Sequence, residues 1–446
     1  MKHKFFLSAA TLLAALACIC LSGCRTSEKA PDLIVVDFSQ DYPLLDLKLS
    51  DIADISYIPL QGKDSARLLS HGSSLQKHIH IDEEHIFVGD FSPYMKDGKW
   101  HRFSPQKGKL ELFDIEGKHL KTVFKAQNEN EQITFGVDTP YEIDTEKEEI
   151  YAYSGYSRFI RTFNYNGDIL ANSNTITRGE IKHTKLFGDT LVLLNPYSQI
   201  INFNGELRDN GATMRLYNIN TGQFIPHKGL HFAKPYGLND IYLSTILTHT
   251  ANGIYITTSR TDTVYHINRK IEITPKFLSV QHCEDAVNLI CPLAETEDYI
   301  LFCNSQDSKS ERDKRFKNAN YIYMKKEKQI YQLPCSNHFP KNNEEILWKD
   351  EFLLQDYYLT KTSNTLVSVL AISFLKENYN LLPDKLKRIT DASSADDNPV
   401  LMIMKFKHFD TISFRNKGKC VVLEVKAKSG KTKSLRTALK NKMARC

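Results

Sequence analysis

The sequence predicts an all-β fold and, within that class, a β-propeller. Short runs of β-branched and aromatic residues, bounded by turn residues, recur along almost the whole chain, which is the pattern of β-strands. The aromatic residues are 21 Tyr and 24 Phe against two Trp, a profile that suits strands. With 446 residues, of which 41% are hydrophobic and 25% charged, the composition is that of a globular protein and excludes disordered or collagen-like chains.

Residues 1–23 are predicted to be a lipoprotein signal peptide. Lys2 and Lys4 precede the apolar segment 5–21, and small residues stand directly before Cys24, as before the cleavage point of a secretory signal. The segment Leu21–Cys24 resembles the lipobox of bacterial lipoproteins at all four positions. The resemblance implies a diacylglycerol on the Cys24 thiol, and two or more acyl chains anchor a protein stably to a membrane. The alternative is an uncleaved signal anchor, since 17 apolar residues reach spanning length.

Residues 24–32 are predicted to form a flexible tether, because Arg25–Pro31 is polar and poor in helix formers. The expected location is therefore the bacterial cell envelope, with the protein anchored by lipid to a membrane, the outer membrane being the expected one. The sequence leaves open whether the protein faces the periplasm or the cell surface.

The body of the chain, residues 33–408, carries repeated strand units. The predicted strands lie at 85–90, 110–114 and 120–124; at 149–153, 159–163 and 169–170; at 190–194 and 215–218; and in runs that begin at 253, 298 and 351. Such units predict a propeller, because a single blade cannot bury both of its faces alone. Six units between residues 78 and 404 would average about 54 residues each. Tandem β-sandwiches are the structural rival, but the repeated strand–turn–strand order favours the propeller.

The two ends of the body are predicted to close the ring by pairing. A ring whose ends do not pair exposes strand edges. Ile55–Leu60 is the expected N-terminal strand, and Pro59 suits an edge position because it lacks a ladder donor. Val400–Phe406 is the expected C-terminal partner, since its nearly continuous apolar run indicates a strand buried on both faces.

Two segments near these ends resemble a known family. Leu49–Leu60, with its final Ile-Pro-Leu, and Asp397–Leu401 are similar to the opening and closing motifs of the six-bladed β-propeller lipoproteins of Bacteroides-type bacteria. The resemblance covers about residues 33–407 and implies six blades and an envelope location. It implies no reaction, because the role of that family is largely undefined. A glycine-rich loop of the family is replaced here by Ala126–Gln132, so no role is carried over from it.

Cysteines and histidines are the first candidates for chemistry. Besides Cys24, the mature chain would hold Cys283, Cys291, Cys303, Cys335, Cys420 and Cys446. An oxidising envelope permits disulfides, with Cys291–Cys303 one candidate, but the pairing is not fixed by sequence. The cysteines lack the close pairs that a zinc site needs, and buried thiols that pack as small hydrophobes are the alternative.

A second candidate is the segment from His78 to His85. His78 and His80 share one face of a strand, and with the acidic turn Asp82–Glu84 they could bind a metal. We favour a solvated hairpin turn instead. Trp100 lies in a polar stretch and could stack on a sugar, although packing between blades is the favoured alternative.

The sequence assigns no catalytic, cofactor-binding or metal-binding residue. Carboxylates cluster at Asp144–Glu149 and Glu295–Asp298, but a glycosidase needs two of them roughly 5–9 Å apart, which linear spacing does not show. The motifs of serine hydrolases, zinc proteases and P-loops are missing from the sequence. We therefore expect a binding or scaffolding propeller that presents loops to a glycan or protein ligand. The alternative is a glycan-directed envelope hydrolase or lyase that uses the central channel.

The extension 409–446 is basic, with eleven Lys and Arg against Asp410 and Glu424. A hairpin is predicted within it, formed by Thr411–Phe414 and Cys420–Val425. Contact with anionic headgroups and a disordered end both stay open for the remainder. Nucleic acid is not an expected partner, because the body lacks a basic stripe.

Overall fold

A computed structural model describes residues 33–47, 49–62, 68, 79–90, 94–96, 99–101, 109–125, 141–154, 159–173, 181, 183–195, 199–201, 207–209, 212–226, 230–232, 245–250, 252–258, 261–280, 286–308, 320–333, 365–395, 397–408, 411–417 and 420–426. Six sheets of three or more strands form the blades of a ring. The predicted six-bladed propeller is confirmed. No helix in these ranges is long and apolar enough to cross a membrane.

The first half of the chain contains β1 (Ile34–Val36), β2 (Leu44–Asp46), α1 (Leu49–Ile52), β3 (Ala53–Pro59), β4 (Ile79–Ile81), β5 (His85–Asp90), β6 (Tyr94–Lys96), β7 (Lys99–His101), β8 (Lys109–Asp114), β9 (His119–Lys125), β10 (Tyr141–Asp144), β11 (Glu149–Ser154), β12 (Phe159–Asn164), β13 (Ile169–Asn172), β14 (His183–Phe187), β15 (Thr190–Asn195), β16 (Gln199–Ile201), β17 (Leu207–Asp209), β18 (Ala212–Asn218), β19 (Gln223–Phe224) and β20 (His231–Phe232).

The second half contains β21 (Thr245–Thr250), β22 (Gly253–Thr258), β23 (Thr263–Asn268), β24 (Ile273–Ser279), β25 (Ala286–Glu295), β26 (Tyr299–Ser308), β27 (Asn320–Met324), β28 (Gln329–Gln332), β29 (Thr365–Leu370), α2 (Ile372–Glu377), a 3-10 turn (Tyr379–Leu381), α3 (Asp384–Asp391), β30 (Val400–Phe406), β31 (Thr411–Lys417) and β32 (Cys420–Lys426).

The blades follow one another along the chain. From the axis outward, the strand orders are β4-β5-β8-β9, β10-β11-β12-β13, β14-β15-β18-β19, β21-β22-β23-β24, β25-β26-β27-β28 and β29-β30-β3. We number these blades 1 to 6. The predicted strands of the first five blades are confirmed, whereas the run at 351–355 lies outside the described residues.

The N-terminal and C-terminal strands close the ring as predicted. β3 pairs antiparallel with β30, so that Ile55 lies opposite Met404 and Pro59 opposite Val400. Pro59 costs the ladder no bond, because β3 is the outer strand of blade 6. The chain then reaches blade 1, where the Gln61 N–H donates to the Gly117 carbonyl oxygen at 2.7 Å. Gly117 has a φ of +86°, and a Cβ there would collide with the Pro59 carbonyl, so this turn requires glycine.

Two short N-terminal strands cover the outer edges of blades 4 and 5. β1 adds in parallel to β24, and β2 adds in parallel to β28 and also to β32. The predicted C-terminal hairpin is confirmed as β31–β32. It continues the sheet of blade 5 through β2, although the sequence placed it in an extension beyond the propeller.

The ring has two different ends. Within blades 1 to 5, the turns between first and second strands and between third and fourth strands are short, as at 82–84 and 115–118. Because strands alternate in direction, these turns share one end of the ring, which we call the tight-turn face. The other connections, such as 91–108 and 126–140, lie at the opposite end, the long-loop face. Two of them contain small hairpins, β6–β7 and β16–β17.

Blade 6 departs from this pattern. Its first two strands are joined by residues 371–399, which contain α2 and α3 and which the sequence analysis did not predict. α3 begins after Pro383, with Asp384 in its first turn and Arg388 in its last turn, charges that complement the helix dipole. Leu386 in α3 and Leu375 in α2 are fully buried in the core of blades 5 and 6.

Candidate functional site

The axis of the ring is lined by the first strand of each blade, and these strands are closely packed. Among the side chains described on β4, β10, β14, β21, β25 and β29, all are buried except Phe187, which is half-buried. A wide aqueous channel would leave alternate side chains of the inner strands in contact with water. The described part of the axis therefore belongs to the packed interior of the molecule.

Polar and aromatic contacts join the inner strands of blades 1, 2 and 3. The His80 ring lies against the Tyr141 ring, with centroids 4.8 Å apart. The Lys185 ammonium lies 3.3 Å from Glu142 Oε1, and both side chains are buried. A buried pair of this kind needs close geometry because each charge loses its hydration. These groups tie one blade to the next.

The same arrangement continues from blade 3 to blade 5. The His249 ring packs edge-on against Phe187, with centroids 5.7 Å apart. The Thr248 hydroxyl donates to the Pro292 carbonyl oxygen at 2.8 Å. Blades 5 and 6 share an apolar core that includes Leu293 and Leu366. His80, Glu142, Lys185 and His249 thus lie between blades, where each contacts a side chain of a neighbouring inner strand.

A second cluster of ionisable groups lies between blades 4 and 5, at the tight-turn face. Glu295 is buried, and its Oε1 accepts from Lys325 Nζ at 2.6 Å. Its Oε2 accepts from the Tyr255 hydroxyl at 3.0 Å and from the Thr250 hydroxyl at 3.1 Å. Burial raises the pKa of Glu295, but the charge and hydrogen bond of Lys325 outweigh that effect and hold the pKa below its usual value. The Glu295 carboxylate is therefore ionised, and both of its oxygens accept hydrogen bonds.

His266 borders this cluster. Its ring lies 4.7 Å from the Tyr255 ring, centroid to centroid, and burial lowers the pKa of the imidazole. His266 Nε2 has no hydrogen-bond partner in the described part of the chain. A neutral imidazole in an apolar setting is the consequence.

A third cluster surrounds Glu111 on β8, and the sequence analysis missed it. The carboxylate is completely buried; Lys109 Nζ lies 2.7 Å from Oε1, and His119 Nε2 lies 2.9 Å from Oε2. The Thr122 hydroxyl donates to Oε2 at 2.8 Å. In a strand, a glutamate between two leucines is predicted to face solvent. The cluster becomes visible only when β8 pairs with β9, which brings His119 and Thr122 to Glu111.

The predicted acidic turns have structural roles. Asp82 Oδ1 accepts from the backbone N–H groups of Glu84 and His85 at 2.8 and 2.6 Å, which confirms the hairpin turn. Asp144 Oδ1 likewise accepts from the Glu146 N–H at 3.1 Å. His78 lies outside the described residues, and within them no group of three or more His, Cys, Asp or Glu is arranged to hold a metal ion.

The two predicted carboxylate clusters do not meet. Asp144–Glu149 joins β10 to β11 in blade 2, whereas Glu295–Asp298 joins β25 to β26 in blade 5. Glu149 accepts a short hydrogen bond from Tyr151, which with burial raises the pKa of the Tyr151 phenol. The structure thus places the two carboxylate clusters in different blades.

Cys291 and Cys303 lie directly opposite each other on β25 and β26. Both are buried and both are free thiols. The Cys291 thiol and burial raise the pKa of Cys303 well above its usual value, which leaves an unreactive thiol. For this pair the structure shows the buried-thiol alternative; Cys283, Cys335 and Cys446 lie outside the described residues.

The remaining predicted features are Trp100, the anchor segment around Cys24 and the end of the C-terminal extension. Trp100 is in β7, opposite Met95 in the hairpin, on the long-loop side of blade 1; its side chain lies outside the description. Cys24, the signal segment 1–23 and the tether up to residue 32 lie outside the described residues. So does the chain beyond Lys426.

No protein-family model matches the sequence. No curated protein matches it either. Among solved structures, a Bacteroides fragilis protein described as exported is 15% identical, with a TM-score of 0.55 over 84% of this chain and 100% of that one. This likeness shows a shared fold.

Two further solved structures are similar at a lower level. A member of the duf4221 family from Bacteroides vulgatus is 11% identical, with a TM-score of 0.41 over 80% of this chain and 97% of that one. A protein of unknown function from Bacteroides thetaiotaomicron is 10% identical, with a TM-score of 0.40 over 80% of this chain and 76% of that one. At this level of similarity, neither structure indicates anything further about this chain.

Proposed function

We propose that this chain is a lipid-anchored protein of the bacterial cell envelope whose propeller is a binding or scaffolding module. Its ligand, a glycan or a protein, contacts the loops of the ring. The packed axis is the observation that carries the proposal. Where inner-strand side chains are buried and their ionisable groups are held between blades, a ligand is left with the ends of the ring, and loops on a rigid scaffold are the usual place for binding residues.

The location rests on three supports. The segment Leu21–Cys24 resembles a lipobox, the tether that follows is polar, and a protein of the same fold is described as exported. Lipid attachment at Cys24 would hold the propeller at a membrane, with the outer membrane the proposed one.

In blades 1 to 5, the longer connections belong to the long-loop face. Its connections include 91–108 and 126–140, whereas those at the tight-turn face of blades 1 to 5 hold two to four residues, as at 188–189 and 115–118. Trp100 lies in the first of these long connections, and an aromatic side chain can stack on a sugar or a partner ring.

The test separates the loops from the axis. Purified mature chain is screened on glycan and peptide arrays, and a hit is then measured with two variants, Trp100→Ala on the long-loop face and Glu142→Gln/Lys185→Met at the axis. We expect Trp100→Ala to weaken binding while the folded axial variant binds as the wild type does. Turnover of the ligand that is lost only in the axial variant would favour the alternative, a hydrolase or lyase acting at the channel.

A further inference from the structure

The direction of β1 shows from which side the chain reaches the propeller. β1 runs parallel to β24, with Ile34 opposite Phe277 and Val36 opposite Ser279. β24 itself runs from the tight turn 269–272 toward the long-loop face. The backbone therefore enters β1 heading away from the tight-turn face, at the outer edge of blade 4.

The distance from this edge to the anchor is short. Nine residues separate Cys24 from Ile34, and they span at most about 30 Å when fully extended. The seven residues of β24 are about 23 Å long. A membrane that holds Cys24 must therefore lie within about 30 Å of Ile34.

The two sides of the tight-turn face carry charges of opposite sign. The outer tight turns of blades 4 and 5 expose Arg269, Lys270, Lys326 and Lys328, which we call the basic rim. The rim lies at the opposite end of β24 and β28 from the residues that pair with β1 and β2. Lys325 in the same turn is held by Glu295, and the acidic residues of the two turns are Glu272 and Glu327. Nearer the axis, blade 5 adds Glu297 and Asp298, and α3 contributes Lys385, Lys387 and Arg388 among Asp384 and Asp391.

The opposite side of this face is acidic. The tight turns of blades 1 to 3 contain eight carboxylates and two lysines: Asp82, Glu83, Glu84, Glu116, Glu146, Glu148, Asp168 and Asp189, with Lys118 and Lys147. Charges act over a Debye length of about 8 Å at physiological ionic strength. Only the side of the face that lies against a charged surface will interact with it.

We propose that the basic rim rests on the anionic phosphate headgroups of the membrane that carries the anchor, so that the acidic blades tilt away and the long-loop face points outward. The proposal deepens the proposed function and rests on its anchor. Basic residues next to a membrane are attracted by anionic lipid, and here they lie at the end of blade 4 from which the backbone runs into β1.

The test measures which blade is nearest the lipid. A fluorescent amino acid replaces either Gln329 in blade 5 or Ile115 in blade 1, both exposed and uncharged, and energy transfer to an acceptor on the headgroups is recorded on phosphatidylglycerol–phosphatidylcholine vesicles. The chain is held by its acyl groups or, in parallel, by a hexahistidine in place of residues 1–24 on nickel-chelating lipid. We expect stronger transfer from position 329, and a smaller difference between the two positions once salt is raised to about 1 M, because salt screens the rim but leaves the tether at blade 4.

Charge reversal supplies matched variants. Lys326→Glu/Lys328→Glu should reduce the preference for blade 5 to the level seen at high salt, whereas Lys118→Glu/Lys121→Glu, with the same change in net charge, should keep it. Equal or stronger transfer from position 115 in the unaltered chain at low salt would overturn the proposed orientation. Loss of vesicle flotation by the acyl form, with the preference intact in the hexahistidine form, would support the orientation and reject the anchor at Cys24.

Discussion

Lys325 Nζ lies 2.6 Å from Glu295 Oε1, and the two side chains come from the turns of blade 5 where it meets blade 4. The partners differ in exposure: 25% of the Lys325 side chain is exposed, against 5% for Glu295. Removal of Lys325 leaves the negative charge of Glu295 buried without its cation. Removal of the Glu295 carboxylate leaves the Lys325 ammonium partly exposed to water. The two deletions should therefore have unequal effects.

The first prediction follows from this asymmetry. Lys325→Met should lower the free energy of unfolding by about 3 kcal/mol, because the buried Glu295 carboxylate loses its cation. Glu295→Gln should cost about 1–2 kcal/mol, since the amide keeps some of the hydrogen bonds. In urea unfolding, the double variant should lose less than the sum of the single losses. Additive losses would show that the pair is not coupled.

The second prediction concerns acid. The lowered pKa of Glu295 gives stability that is present at neutral pH and lost as pH falls through that lowered value, below 4.5. His266, whose pKa burial lowers from 6.5, adds an earlier loss, because below pH 6.5 the unfolded state takes up a proton that the folded state resists. The melting temperature should fall between pH 7 and 5.

A non-titrating side chain at this position isolates the contribution of His266. His266→Phe should flatten the fall in melting temperature between pH 7 and 5, while substitution of the exposed His408 by Gln should leave it unchanged. If the melting temperatures of His266→Phe and the wild type fall in parallel between pH 7 and 5, His266 is not the source of the pH dependence.

The third prediction compares two turn glycines. Gly167 and Gly188 both have positive φ, +86° and +56°, so alanine is strained at either position by about 1 kcal/mol. At Gly167, however, a Cβ would also collide with the Val123 carbonyl of blade 1, whereas at Gly188 it meets nothing within 4 Å. Gly167→Ala should therefore unfold at clearly lower urea than Gly188→Ala. Equal midpoints would mean that blades 1 and 2 separate at little cost.

The fourth prediction tests ring closure. A chain truncated after Asn398 loses β30, and with it the partner of β3 and β29, so it should aggregate or unfold. A chain truncated after His408 keeps the closed ring and loses only the hairpin that extends β2. It should melt close to the full-length protein. If both truncated chains melt like the full chain, the closure does not stabilise the ring.

The fifth prediction concerns the anchor. A clickable fatty acid fed to expressing bacteria should label the wild-type chain and leave Cys24→Ala unlabelled, because this thiol is the proposed acceptor of the diacylglycerol. In-gel fluorescence measures the labelling, with Cys446→Ala as the control that retains Cys24. Equal labelling of the Cys24→Ala variant would contradict acylation at this position.

The sequence allowed the blades and their closure to be predicted because both have local signals. Turns such as Gly117 and Gly167 need glycine for positive φ, and the apolar run Val400–Phe406 reads as a buried strand. β1 and β2 were not predictable, since strands of three residues show no periodicity. α2 and α3 were missed because six and eight residues give a helix too little pattern.

The candidate site was less predictable than the fold. Glu295 was recognised as part of a carboxylate cluster, but its partners Tyr255 and Thr250 lie some forty residues away. Lys185 and Glu142 are likewise brought together only when blades 2 and 3 stack. Side chains that meet between blades have no fixed spacing along the chain, so the packed axis could be seen only in three dimensions.

The pairing of β3 with β30 also constrains when the protein can fold. Ile55 and Met404 are joined across roughly 350 residues of chain, and contacts of such long range slow folding because the loop between them must first be ordered. An exported chain that emerges from its N-terminus would hold β3 unpaired until almost all of the polypeptide had crossed the membrane. An unpaired strand edge is prone to aggregation during that interval. Folding of this ring therefore depends on the arrival of β30, and in a chain exported as we propose, a chaperone that shields β3 until then would raise its yield.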